Sequence, residues 1–136
     1  MPGWGTGSFE NDAAKNFLGR LNSLGVDDLR KILSRAADQP DYLEAPESGT
    51  AVAAAEVVAA LAAAAKDETA SSTTPRQISD WMSKNTTALP PDLIDLARRA
   101  VERVRINSEL KDLWLEAEGL NEWSAALRGL EERLGG

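Results

Sequence analysis

The chain has 136 residues, no cysteine, no histidine and a formal charge of −7, a length that suits one domain, 1–136, with a modest core. The missing residue types exclude disulfides, thiolate nucleophiles, imidazole bases and the usual zinc or haem ligands, so any metal would have to be a hard cation held by carboxylate and carbonyl oxygens. The negative balance opposes unspecific binding to nucleic acid or to an anionic membrane surface.

The N-terminal stretch alternates glycine with bulkier residues: Gly3, Trp4, Gly5, Thr6, Gly7, Ser8, Phe9. Glycine at that spacing disfavours regular structure, yet Trp4 and Phe9 are costly to leave in water, so the expectation is an ordered loop pinned by its aromatics. The Gly-Lys-Ser/Thr ending of a phosphate-binding loop is missing, and the spacing is not that of a dinucleotide fingerprint. With no basic region leading into an apolar one at Met1–Asp12, the reading places the protein in the cytoplasm.

Asn11 or Asp12 is a good N-cap for a first helix to about Asn22, with Ala13, Phe17, Leu18 and Leu21 inward. Asp27 caps a second helix whose stripe is Leu29, Ile32, Leu33 and Ala36. From Asp38 to Gly49, Pro40 and Pro46 with Tyr42 and Leu43 between them predict an ordered loop. Thr50–Lys66, TAVAAAEVVAALAAAAK, contains no Gly or Pro and is apolar on every side. Alanine loses no side-chain entropy in a helix, so the stretch predicts a core helix that neighbours approach closely all round.

Glu56 is the exception in that helix, because burying a carboxylate costs several kcal/mol unless it is paired, hydrogen-bonded or protonated. Arg98, Arg105 or the N–H groups of the glycine-rich loop are the candidate partners. A structural carboxylate is the bland reading and a catalytic acid or base the sharp one.

Asp67–Thr73 is rich in Ser and Thr and predicts a mobile linker. Thr74-Pro75-Arg76-Gln77 has the form of a capping box with proline at the first helical position, opening a short helix with Ile78, Trp81 and Met82. Pro90-Pro91-Asp92 starts a helix to about Ile106 carrying Leu93, Leu96, Ala97, Ala100, Val101 and Val104. Arg98, Arg99, Arg103 and Arg105 project from its other sides; with Glu102 among them and Arg98 able to pair with it, they read as a solvated face rather than an anion site. Asn107 or Ser108 leads into Glu109–Glu118, with Leu110, Leu113, Trp114 and Ala117 inward and Gly119 as the stop. A last helix from about Asn121 presents Trp123, Ala126, Leu127, Leu130 and Leu134. No stretch alternates in the manner of a strand. The predicted class is all-α, a compact bundle of six or seven helices around the Ala-rich helix at 50–66.

The run Gly3-Trp4-Gly5-Thr6-Gly7-Ser8-Phe9-Glu10-Asn11-Asp12 resembles the Trp-Gly-x-Gly-x-Phe-Glu-Asn-Asp signature of a bacterial family known only as domain of unknown function 4259. Ala53–Leu61 and Ser108-Glu109-Leu110-x-x-Leu113-Trp114 are similar to that family too. The resemblance implies a small intracellular single-domain protein and brings no established activity. Members commonly carry Asp and Trp where this chain has Asn16 and Phe17, so Asn16 is given no chemical role.

Two functions are weighed. The first is a protein-interaction module, an inhibitor, adaptor or immunity-type partner, with no cofactor. The alternative is an enzyme whose acid/base pair is carboxylate-only, drawn from Glu56, Glu10 and Asp12, with or without a divalent cation. The residues nominated for function or for anchoring the loop are Trp4, Phe9, Glu10, Asn11, Asp12 and Glu56. A glycine-rich loop with free N–H groups and a solitary core carboxylate are natural partners, so the loop is expected to fold onto the central helix near Glu56.

Overall fold

All regular structure in the residues that the computed structural model describes (9, 11–65, 75–85 and 90–135) is helical. The elements are α1 (Asp12–Arg20) with a 3-10 turn at Leu21–Ser23, α2 (Val26–Asp38), α3 (Ala45–Ala65), α4 (Arg76–Lys84), α5 (Pro91–Ile106), α6 (Glu109–Glu116) and α7 (Leu120–Arg133). No helix among them is long and apolar enough to cross a membrane.

The alanine composition of α3 decides the architecture. Ala51, Val52, Ala53, Ala54, Ala55, Val57, Val58 and Ala59 are buried on every side, and α3 touches each of the other helices. Its most extensive partner is α5, which offers Ala97 and Ala100, both fully buried. Small residues on both helices let the backbones approach, so close packing replaces side-chain bulk. The larger groups lie around this rod: Phe17, Leu29, Leu33, Ile78, Trp81, Leu93 and Leu127 belong to one apolar cluster that draws on all seven helices. The Trp81 indole, wholly buried, donates its N–H to the Leu24 carbonyl at 2.8 Å.

Several boundaries differ from expectation. The central helix begins at Ala45, not Thr50. Pro46 is harmless in a first turn, where its missing N–H would have had no intrahelical partner. Gly49 is a point of contact and not a breaker: a Cβ there would lie 2.5 Å from Asn11 Oδ1 and 3.2 Å from the Ala13 Cβ. Thus α1 and α3 meet where the glycine has no side chain. The second helix is capped at Gly25, whose N–H donates to Asp28 Oδ2 at 2.8 Å, and Asp27 lies inside it. Pro75 precedes α4 instead of opening it. The predicted linker Asp67–Thr73 and the cap Thr74 lie outside the described residues.

At the end of α6 the left-handed residue is Glu118 (φ 61°), not Gly119. The N–H of Gly119 reaches the Trp114 carbonyl at 3.0 Å and that of Glu118 reaches Leu115 at 3.2 Å, the paired bonds of a Schellman ending. Gly119 is required for another reason, since a Cβ there would come within 2.7 Å of the Trp114 ring. Ala126, expected inward, is exposed, because the buried stripe of α7 runs through Trp123, Leu127, Leu130 and Leu134.

Candidate functional site

The nominated residues at the start of the chain have structural tasks where they are described. Asn11 is the N-cap of α1, its side chain accepting the Ala14 N–H at 2.8 Å. Asp12 stands exposed in the first turn, where its charge favours the helix dipole. Phe9 is half-buried against the core. Trp4 and Glu10, with the rest of the glycine-rich loop, lie outside the described residues, and the expected folding of that loop onto Glu56 lies there too.

Glu56 is held by an arginine that the sequence reading did not nominate. Arg133, at the end of α7, meets it in two contacts, Nη1 to Oε1 at 2.7 Å and Nη2 to Oε2 at 3.2 Å. The Glu56 side chain is 13% exposed and that of Arg133 55%, so one end of the pair reaches water. Arg98 and Arg105 are engaged elsewhere. Arg98 pairs with Asp95, one turn back, and not with Glu102. Arg105 meets Glu131 with Nε to Oε2 at 2.7 Å, and that carboxylate raises its pKa. Pairs separated by tens of residues carry no local signal, whereas an arginine on a neighbouring turn does.

The arginine face of α5 is therefore not simply solvated. Arg103 closes a corner of the molecule: its guanidinium donates to the carbonyls of Gln39 and Asp41 at 2.5 and 2.8 Å, and to that of Asn107 at 3.0 Å. The α2–α3 loop is fastened further by the Glu109 N–H to the Leu43 carbonyl at 2.8 Å, and by the Ala45 N–H to Glu109 Oε1 at 2.7 Å. The Tyr42 hydroxyl donates to Asp112 Oδ2. That bond stabilises the neutral phenol and, with partial desolvation and the charges of Asp112, Glu109 and Glu116, pushes the Tyr42 pKa up to about 12.

This corner also carries the large apolar side chains left in water. Among the described residues these are Tyr42 (51% exposed), Ile106 (51%) and Leu115 (55%). Leu115 follows Asp112 by three residues and so lies on the same face of α6 as the tyrosine's acceptor; Ile106 ends α5 beside Asn107. Asp41, Glu44, Asp112 and Glu116 stand exposed around them.

A second feature is a cleft of about 290 Å³ between α1, α2 and α3, with Arg20, Arg35, Glu47 and Thr50 on its lining. Among the described residues no group of three or more acidic side chains lies close enough to hold a metal ion.

The model of the family described as Domain of unknown function (DUF4259) matches residues 3–126, and the chain belongs to that family. No curated protein and no solved structure matches it.

Proposed function

We propose that this protein is an interaction module that docks another protein, as an inhibitor, adaptor or immunity-type partner, through the corner built by the α2–α3 loop and α6. One observation carries the reading: Tyr42, Ile106 and Leu115, the large apolar groups exposed among the described residues, stand on the three elements that the hydrogen bonds of this corner fasten together, the α2–α3 loop, the end of α5 and α6. Exposed apolar residues scattered singly need no explanation, but three on one held surface are what a partner would cover. A pre-fastened loop loses little entropy on association, and tyrosine in such a position is a frequent anchor. The net charge of −7 argues against nucleic acid as the partner and suits a protein of the cytoplasm.

The test compares affinity capture from extracts of the producing cell by the wild-type chain, the double variant Tyr42→Ser/Leu115→Ser, and Lys15→Ala on exposed α1. The expected result is a defined protein retained in near-stoichiometric amount by wild type and Lys15→Ala, and reduced about tenfold or more by the double variant. Identical retention by all three chains would overturn the proposal.

A further inference from the structure

The docking corner is acidic as well as apolar. Elsewhere arginines neutralise many of the carboxylates: Asp38, Glu47, Glu56, Asp92, Asp95 and Glu131 each meet one. Among the described residues Asp41, Glu44, Glu109, Asp112 and Glu116 meet none. The bases beside them are Lys111 and Arg103, and the donors of Arg103 are spent on backbone carbonyls. Carboxylates held near one another without counter-charge repel, and a cationic partner relieves that repulsion.

Tyr42 stands among these charges. Its hydroxyl is bonded to Asp112 Oδ2, and Glu109 and Glu116 lie near enough for their charges to act on it. The bond fixes a carboxylate at the edge of an aromatic ring that is 51% exposed. A guanidinium stacked on that ring meets the negative face of the π system and, from the same position, reaches the remaining lone pairs of Asp112. An ammonium offers the ring no plane. Glu116 continues the acidic row one turn along α6 from Asp112, and Leu115 lies exposed beside it. The acids are spaced along two elements, with no three close enough for a metal ion among the described residues. What complements them is a row of cations on a chain that also brings an apolar side chain.

We infer that the partner docked at this corner is a basic protein segment, in which an arginine stacks on Tyr42 and pairs with Asp112 while a neighbouring apolar side chain covers Leu115, an inference that rests on the docking function proposed above and names its partner's chemistry.

The experiment titrates the full chain, by calorimetry and by residue-resolved amide shifts, with four synthetic peptides. Three share a central pair of leucines flanked by arginines, by lysines or by glutamates; the fourth has serines in place of the leucines between arginines. The arginine–leucine peptide is expected to shift the amides of 41–44 and 112–116, and to bind about tenfold more weakly as salt rises from about 0.05 to about 0.5 M. Lysine in place of arginine is expected to weaken binding several-fold, and the glutamate and serine peptides to bind about tenfold more weakly or worse. The variant Asp41→Asn/Glu44→Gln/Glu116→Gln changes exposed side chains only, since the bonds that Asp41 and Glu44 accept at the corner go to their main-chain carbonyls. It keeps the fold and is expected to weaken the arginine–leucine peptide about tenfold. Glutamate and arginine peptides that shift the corner equally, or an arginine affinity indifferent to salt and to the triple variant, would overturn the inference and leave the docking function standing. No shift of these amides by any peptide at millimolar concentration would overturn it too, and docking would then stand or fall on capture by Tyr42→Ser/Leu115→Ser alone.

Discussion

The middle of α3 and the α2–α3/α6 corner are held by opposite means. Along α3 nearly every side chain is small, apolar and buried, and cohesion comes from backbones brought close by alanine. At the corner the backbone is tied by directional bonds to Arg103 and Glu109, and the Tyr42 hydroxyl by its bond to Asp112, while the apolar faces of Tyr42, Ile106 and Leu115 remain in water. Packing of the first kind hides its side chains and leaves nothing to recognise. Fastening of the second kind fixes a loop without consuming its apolar groups, which stay available to a partner.

Substitutions break the two regions differently. The largest effect is expected from Ala54→Leu: at a fully buried position between close helices, the added carbons force the backbones apart, costing roughly 2–3 kcal/mol. Chemical denaturation reads this as a lower midpoint with an unchanged slope. Arg103→Ala is expected to cost about 1–2 kcal/mol by leaving the Gln39, Asp41 and Asn107 carbonyls without their charged donor. Its signature is local, with faster amide exchange at the corner and little change in α3.

Glu56→Gln comes next, at about 1 kcal/mol, because Arg133 is more than half exposed and water screens the pair. A cost several times larger would mean that the carboxylate has further partners. Smaller still is the effect of pH on the corner. The folded-state pKa of Tyr42 is raised, so its contribution is full below the unfolded value near 10. It is lost as pH climbs through the folded value of about 12. The chain has a single tyrosine, so phenolate absorbance reports this group alone. Asp112→Asn is expected to move its midpoint down toward 10. The smallest change is that of Leu115→Ser, within about 0.5 kcal/mol of wild type, since the side chain is already in water.

What the sequence revealed divides along the same line. Helices α1, α2 and α4 to α7 follow from periodic apolar residues such as Leu29, Leu33 and Ala36, and the alanine run identifies the enclosed rod. The caps at Asn11 and Ser108 are local, and the sequence narrowed each to a pair of adjacent residues, Asn11 or Asp12 and Asn107 or Ser108; Ser108 accepts the Lys111 N–H at 3.1 Å. Pro46 and Gly49 misled because each reads as a breaker locally, while the structure uses one as a first-turn residue and the other as a contact. The corner was invisible: Tyr42 meets Asp112 across 70 residues and Arg103 meets Gln39 across 64, and no periodicity encodes such meetings. For the same reason Arg133, 77 residues from Glu56, went unnamed.

The central claim is that the corner is fixed as firmly as the rod while its apolar groups stay outside. Residue-resolved amide hydrogen exchange measures this most directly, because the N–H groups of Ala45 and Glu109 are donated across the corner, to Glu109 Oε1 and the Leu43 carbonyl. Protection of both close to that of the amides at Ala55–Ala59 is the predicted result. Exchange of both at the rate of an open chain, with α3 protected, would contradict it.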